Sequence, residues 1–480
     1  MDNKRLASFQ GQIETVFKMS LADLDLRIKK LFPVLRIKSH LTGAGIRKWD
    51  GYPPSELLFV LINLIFLHMN SVHELMRRFV DTFFEARKDT FYRFKNGEWS
   101  WRPFYWRFIR HLGTRLNWSA TAGENCFIVD TSILAKRGKK MEHLSFVYDH
   151  AQRKPVNGYE MVTLGLITPT NFYPLDFGYR FSTRRYEQAQ DATVLEPAGS
   201  LAKRIREAQS LKKPQIAIKM LKEALAKGIP SSYLLVDAWF ASPKFFKDAK
   251  ALGLHTIARL QNDKARYLYE GKWLRLSTLY DSVKPTLIKD KELGCLLIGL
   301  PTRCRNGLQG TIVFVKGYKE PDLDMLAGSK KTPEPKWVAI FSTDGKLRAR
   351  EAVKKYILRW SIEVFFKEAK QRLGLGKDHS RSFAAQVFST TQAFVRYSML
   401  AYLLEHEPSH HSIGDMFHKM AQEAATVTYF ERLWAYFSMI LRRCLQILDS
   451  FLDPGSEFRY YIEAISNALH DMKPLRGCET

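Results

Sequence analysis

Three carboxylates stand where their chemistry could be combined. Asp130 closes the apolar run of ENCFIVDTS (124–132), Asp237 closes that of SSYLLVDAWF (231–240), and Glu363 lies within KKYILRWSIEVFFKEAK (354–370). The last stretch holds strong helix formers and neither Gly nor Pro, so its composition predicts a helix. Tyr356, Arg359, Glu363 and Lys370 fall at offsets 0, 3, 7 and 14, which at 3.6 residues per turn is one face. The plain reading of that stripe is a solvated surface with pairs such as Arg359–Glu363, worth about 0.3–0.5 kcal/mol each. The sharper reading is the wall of a site. Hard divalent cations such as Mg²⁺ or Mn²⁺ take oxygen ligands and keep several waters. Two such ions about 4 Å apart can activate a water or a 3′-hydroxyl and stabilise the leaving oxygen of a phosphodiester. Three acids converging from separate elements are the minimum for such a site, and cations beside them would hold a phosphate backbone.

The elements that must position these residues are legible in outline. Residues 1–118 read as helical; LLFVLINLIFL (57–67) follows a Pro-Pro-Ser start in which Ser55 is a candidate cap. That run is too short to span a bilayer and carries Asn63, so it reads as a buried helix. Over 70–99, two short helices are expected, with Arg77, Arg78, Arg87, Lys88, Arg93 and Lys95 interleaved among phenylalanines and a tyrosine, a pattern suited to DNA contact. From 124 the texture turns to strands: Asp130 ends one, and YEMVTLGLIT and FYPLDFGYRF supply two more, antiparallel in sequence. A helical, charged stretch (186–228) leads to the strand that ends in Asp237, then a helix from Ser242-Pro243 and a strand in LHTIARLQN. Residues 264–342 are short strand patterns, read as a β-rich insertion whose last strand could rejoin the main sheet. One helix is expected over 347–373, and helices from 384 onward. Asp149, Asp176 and Asp344 read as turn or cap residues. Lys367 and Glu368 read as solvated, and the His143–Asp149 segment and His410-His411 as loops; Arg153 and Lys154 are candidate DNA contacts.

FIVDTS, LLVDAW and YILRWSIEVFFKEAK, in this order, resemble the DDE transposases of bacterial insertion sequences. The spacing Tyr356-x2-Arg359-x3-Glu363-x6-Lys370 is similar to the Tyr-Arg-Glu-Lys signature of the insertion-sequence-four family. The resemblance covers about residues 125–375. It implies an α/β fold: an RNase H-like core of mixed sheet and flanking helices, interrupted by a β-rich insertion, with helical N- and C-terminal regions. It further implies that Asp130, Asp237 and Glu363 are the catalytic, metal-binding acids for two Mg²⁺ or Mn²⁺ ions. Tyr356, Arg359 and Lys370 would then grip the DNA strand near the cleaved end. Relatives use a tryptophan shortly before the glutamate helix to stack a flipped base in a hairpin intermediate, and Trp337 in KWVAIFSTD stands at the matching place; such stacking is worth ~1–3 kcal/mol per base. As a lone residue, Trp337 reads equally as sheet core. The expected division is a helical DNA-binding region (1–118), two parts of the catalytic core (119–263 and 343–383) around the insertion (264–342), and a helical C-terminal region (384–480).

Composition sets the partner. The 480-residue chain carries 74 Lys plus Arg against 49 Asp plus Glu, a net of +25, spread along its length. Such a surplus calls for a polyanion, foremost nucleic acid, and its spread disfavours a polybasic membrane anchor. With 46% hydrophobic residues the chain can bury a large core. Five scattered cysteines, with no CxxC or zinc spacing, and a charged N-terminus without a signal-peptide pattern suggest a reduced, cytoplasmic protein; the resemblance implies a bacterial, nucleoid-associated one. The resemblance narrows the polyanion to double-stranded DNA, as terminal inverted repeats and as target, and implies a second copy on paired ends; no membrane and no small-molecule substrate are expected. Two other readings stay open: a metal-dependent nuclease of the same fold without strand transfer, and a DNA-binding remnant without catalysis. The full set of acids and Tyr-Arg-Glu-Lys residues argues against the remnant.

Overall fold

The computed structural model describes residues 27–69, 71–78, 87–138, 140–149, 153–182, 199–317, 337–407 and 412–424, with short pieces at 441, 444–445, 447–448 and 460–465. The N-terminal part is helical: α1 (Arg27–Val34), α2 (Ile37–Gly43), α3 (Pro54–Asn63), α4 (Val72–Arg78), α5 (Lys88–Asn96) and α6 (Trp101–Arg115). Pro54 opens α3, where a missing N–H is harmless. The capping position is Pro53, so Ser55, the candidate cap, lies inside the first turn. Leu57, Leu58, Val60, Leu61 and Ile62 of α3 are buried, as their apolar run requires. No helix among the described residues is long and apolar enough to cross a membrane.

A mixed sheet follows, built from β1 (Cys126–Ala135), β2 (Ser145–Asp149), β3 (Lys154–Ile167) and β4 (Phe172–Arg180), then α7 (Gly199–Ser210), α8 (Lys213–Ala226), β5 (Tyr233–Val236), α9 (Pro243–Lys250) and β6 (His255–Arg259). β1 pairs antiparallel with β3, and β3 with β4, while β1 and β5, and β5 and β6, are parallel. The order β4-β3-β1-β5-β6 is an RNase H-like core: an antiparallel meander extended by two parallel strands reached through helical crossovers. Two details depart from expectation. β1 does not end at Asp130 but runs on to Ala135, because the long β3 offers partners all the way to Gly158. Residues 145–149, expected as loop, form β2, which pairs with the start of β3 and alternates exposed Phe146 and Tyr148 with buried Val147.

The insertion comprises β7 (Arg266–Tyr269), β8 (Lys272–Arg275), α10 (Leu276–Val283), β9 (Ile288–Asp290), β10 (Cys295–Cys304), β11 (Gln309–Lys316) and β12 (Val338–Ser342). The β7–β8 turn is Glu270-Gly271, both with positive φ (46° and 77°), the backbone a two-residue hairpin needs to match strand twist. β12 pairs antiparallel with both β11 and β6, so the insertion extends the core sheet without a break.

The expected 347–373 helix is divided: α11 (Ala349–Ile357), a 3₁₀ turn (Leu358–Trp360), and α12 (Ser361–Gln371). α13 (Phe383–His406) is buried on nearly every face. Its Arg396 donates to the Leu61 and Ile62 carbonyls in the last turn of α3 (2.5 and 3.1 Å) and to Leu373 O (2.9 Å). That satisfies orphan carbonyls at a helix end and ties the N-terminal helices to the core. α6 is tied similarly: Tyr105 donates to Pro174 O at 2.5 Å, and Arg102 Nε to Asp176 Oδ2 at 2.9 Å.

Asp176, expected at a turn, sits mid-strand in β4, 1% exposed at its side chain, facing Arg102 and Arg204. Removing one member of a buried ion pair strands the other charge, at about 3–5 kcal/mol. Asp176→Ala is therefore expected to lower unfolding stability by that amount in denaturant titration; a loss under about 1 kcal/mol would show that Glu207 and Glu223 suffice for Arg102.

Candidate active site

Parallel pairing sets Val129 level with Val236. Asp130 and Asp237 are therefore the next residues on neighbouring strands, at the carboxyl end of β5 where α/β sheets place ligands. Asp130 Oδ1 accepts from the Thr131 N–H at 2.6 Å; Asp237 Oδ1 accepts from Trp239 N (3.2 Å) and Phe240 N (3.4 Å). Glu363 stands in the first turn of α12, whose inner face carries Ile362, Phe365, Phe366 and Ala369. Phe365 packs against Phe172, Phe394 and Tyr397, with ring centroids 4.9–5.4 Å apart. This aromatic seat aims the neighbouring Glu363 along the opposite side, toward the strands.

The three acids open on one cavity of about 660 Å³, lined also by Tyr356, Arg359 and Trp337. Arg359 joins them: Nη1 is 3.2 Å from Asp130 Oδ2, and Nη2 is 2.6 Å from Glu363 Oε1. The 3₁₀ turn contributes here. It carries Arg359, whose guanidinium lies 5.7 Å from the ring centroid of Tyr356 in the preceding α11. Among the described residues no three acid, His or Cys groups are gathered closely enough to enclose an ion as placed; the guanidinium spans Asp130 and Glu363.

The electrostatics follow from acids crowded in a buried place. Burial, with Asp237 next and Glu363 a smaller contributor, pushes the Asp130 carboxyl up to about 7, against Arg359 and the Thr131 N–H. Burial also raises Asp237, opposed by Arg359, the two turn N–H groups and Lys213. Burial works against charge on Arg359, but Tyr356, Asp130 and Glu363 outweigh it and hold the guanidinium above its ordinary value. Two converging carboxylates, each disfavoured as an anion and offering hard oxygens, suit a divalent cation; the donor set fits that group.

The remaining candidates scatter. Lys370 is not on the cavity; burial lowers its pKa and Asp149, at the end of β2, opposes that. Lys154 is exposed and lies opposite Asp149 in the β2–β3 register. Trp337 lines the cavity but also stacks on Tyr280 (4.6 Å, 19°) and meets Phe314 edge-on, so it is both wall and insertion core. Arg87, at the capping position before α5, and Arg93 on it are exposed. Lys95 is not an exposed cation: it is ion-paired with Asp378, whose side chain is 8% exposed. Arg78 stands in α4, and His410-His411 lie outside the described residues. The sequence reading missed Arg259, Gln261, Asn262 and Trp360 on the cavity wall. Arg259 could have been found only by knowing that β12 returns to pair with β6 at Ile340↔Arg259.

An RNase H-like sheet thus carries two strand aspartates and a helix glutamate on one cavity. Residues 56–272 match the family described as DDE superfamily endonuclease, and residues 204–397 match the family described as transposase DDE domain. The two matches support a DDE transposase. No curated protein matches. Among solved structures, the chain is similar to the Drosophila P element transposase strand transfer complex at 10% identity, over 94% of this chain and 99% of that one. The TM-score is 0.23, too low to support fold or function.

The Asp130 shift gives a pH signature. A carboxyl raised from 3.8 to about 7 is protonated in the folded state where the unfolded chain has already ionised. The folded state therefore holds more protons between about pH 4 and 7, and its stability falls as pH rises through that window. In EDTA, Asp130→Asn is expected to flatten that decline and to gain about 1–2 kcal/mol at pH 8. Thermal melts from pH 4 to 8 decide it; an unchanged profile would mean that burial beside Asp237 does not raise the Asp130 carboxyl.

Proposed function

We propose that this chain is a cut-and-paste DNA transposase of the insertion-sequence-four type. It binds the terminal inverted repeats of its element, cleaves both strands and joins the freed 3′-hydroxyls to target DNA. The observation that carries this reading is the meeting of Asp130, Asp237 and Glu363 on one cavity with Arg359 between them, in a chain with a net charge of +25.

Asp130, Asp237 and Glu363 would hold two Mg²⁺ or Mn²⁺ ions, which when bound supply an activated oxygen nucleophile and stabilise the leaving oxygen. The chain's own residues do the rest. Arg359 bridges the Glu363 and Asp130 carboxylates and, with Arg259 on the same wall, presents guanidinium donors to a phosphate. Tyr356 stacks beside that guanidinium and borders the same cavity. Trp337, its plane fixed by Tyr280, gives a flipped base a ring to stack on in the hairpin route. Lys370 and Lys154 would steer DNA beside the β2–β3 hairpin, and Arg87 and Arg93 the repeat bound by the N-terminal helices. Water attacks first, then a 3′-hydroxyl, each displacing a phosphate-bound oxygen; no covalent protein–DNA bond forms. The protein would act in the bacterial cytoplasm at the nucleoid, as a dimer on paired ends.

A labelled duplex of the DNA flanking the gene tests this on a denaturing gel, in Mg²⁺, Mn²⁺ and EDTA. Metal-dependent cuts at one position are expected, reduced at least 10³-fold in Glu363→Gln; equal behaviour of the two proteins overturns the assignment. Trp337→Ala is expected to reduce the hairpin band at least tenfold more than the first nick, whereas equal loss in both steps removes its stacking role. Independently of activity, millimolar Mn²⁺ should raise the melting temperature of the wild type by ligand linkage and leave that of an Asp130→Asn/Glu363→Gln double variant unmoved.

A further inference from the structure

Behind the wall formed by Ala238, Leu260 and Gln261, the cavity of the carboxylates borders a second cleft of about 480 Å³. Its floor is apolar, from Phe246 and Pro243, and Tyr267 closes one side. Its rim is cationic: Lys264, Arg266 and Arg305 are all exposed there. The only carboxylate among its described lining residues is Asp263, already engaged with the Ala265 N–H at 2.7 Å. Trp239, two residues after Asp237, lines the cleft and is 49% exposed.

That tryptophan is held in place although it faces solvent. The Lys213 ammonium sits 4.1 Å from its ring centroid, and Phe240 meets it edge-on at 5.0 Å. Lys213 is in turn ion-paired with Glu160 of β3. The opposite bank is fixed too: Asn306 Nδ2 donates to Pro243 O at 2.8 Å, which holds the β10–β11 turn, and Arg305 with it, against the start of α9. An exposed large aromatic beside an apolar slot and three exposed cations is complementary to a ring that carries a phosphate.

We propose that this cleft takes one unpaired nucleotide of the DNA strand that flanks the scissile phosphate. The base lies on the apolar floor against Trp239, and its phosphates face Lys264, Arg266 and Arg305. The assignment rests on the DNA-transposase reading above and adds to it a site distinct from the Trp337 wall. It follows from adjacency: a strand whose phosphate lies at Asp237 has only Ala238 to pass before its neighbouring nucleotide reaches Trp239. Single strands are bound in this manner, by stacking on aromatics within a cationic groove.

The test uses the full chain in Ca²⁺ and two fluorescent duplexes ending at the cleavage position, one blunt and one with a single unpaired flanking nucleotide. Fluorescence anisotropy gives both affinities. For the wild type the unpaired nucleotide is expected to tighten binding about tenfold, the size of one stacked base. Trp239→Ala should abolish that gain while binding the blunt duplex as the wild type does, and Trp239→Phe should restore most of it. Arg266→Ala/Arg305→Ala should weaken the overhang duplex and flatten its salt dependence. Equal binding of the two duplexes by the wild type, or a full gain retained in Trp239→Ala, overturns the cleft and leaves the transposase reading standing. Loss of the gain on adding micromolar free dTMP overturns it in favour of a free-nucleotide site. Failure of the wild type to bind either duplex overturns both.

Discussion

The parallel pairing of β1 with β5 is the constraint on which the site depends. It brings two aspartates level on adjacent strands, where each raises the electrostatic cost of ionising the other. A fold selected for stability alone would not keep that pair. Its presence makes the surrounding arrangement intelligible: Arg359 against Asp130 and turn N–H groups against Asp237 each lower the same penalty. A divalent cation would lower it further, because it supplies more charge in less space than a guanidinium.

Holding that arrangement requires an unyielding frame. The β4 face is locked by the buried Asp176–Arg102 pair and by Tyr105 on Pro174, α12 by the aromatic seat of Phe365, and α13 by Arg396 on the carbonyls of α3. All of these lie away from the cavity. Helices on either side of the core in sequence are thus packed on the same sheet, and Arg396 of α13 ties the end of α3 to Leu373, just past the helix that carries Glu363. The insertion joins the frame through β12, so that the chain entering this inner strand delivers Trp337 to the cavity while its neighbours in the insertion, Tyr280 and Phe314, keep the ring oriented.

Cations are divided between two tasks. Lys95, Arg102, Arg204 and Arg396 neutralise or cap buried groups and give the surface no charge. Arg87, Arg93, Lys154, Lys264, Arg266 and Arg305 are exposed, and the last three frame the second cleft. The overall surplus therefore says that a polyanion is met, but individual roles follow only from which neighbour each cation has.

Local chemistry was enough to read the apolar strand runs before Asp130 and Asp237, the one-face spacing of Tyr356, Arg359 and Glu363, and the β-rich texture of the insertion, since each is a matter of side-chain type and period. Where partners decide, the local signal failed. β1 runs five residues past Asp130 because β3 is there to pair with it, and β2 exists because β3 begins early. Lys95 is drawn inward by Asp378, far along the chain, and the helix carrying Glu363 contains a 3₁₀ turn that no propensity marks. Lys370 kept its place in the spacing but lies off the cavity, because two further turns of helix carry it past the strand ends toward Asp149. Arg259 and the second cleft arise only when β12 crosses back to β6. Residue types and their period thus determined which groups were available for chemistry; strand pairing and packing, which depend on contacts between distant segments, decided which of them meet.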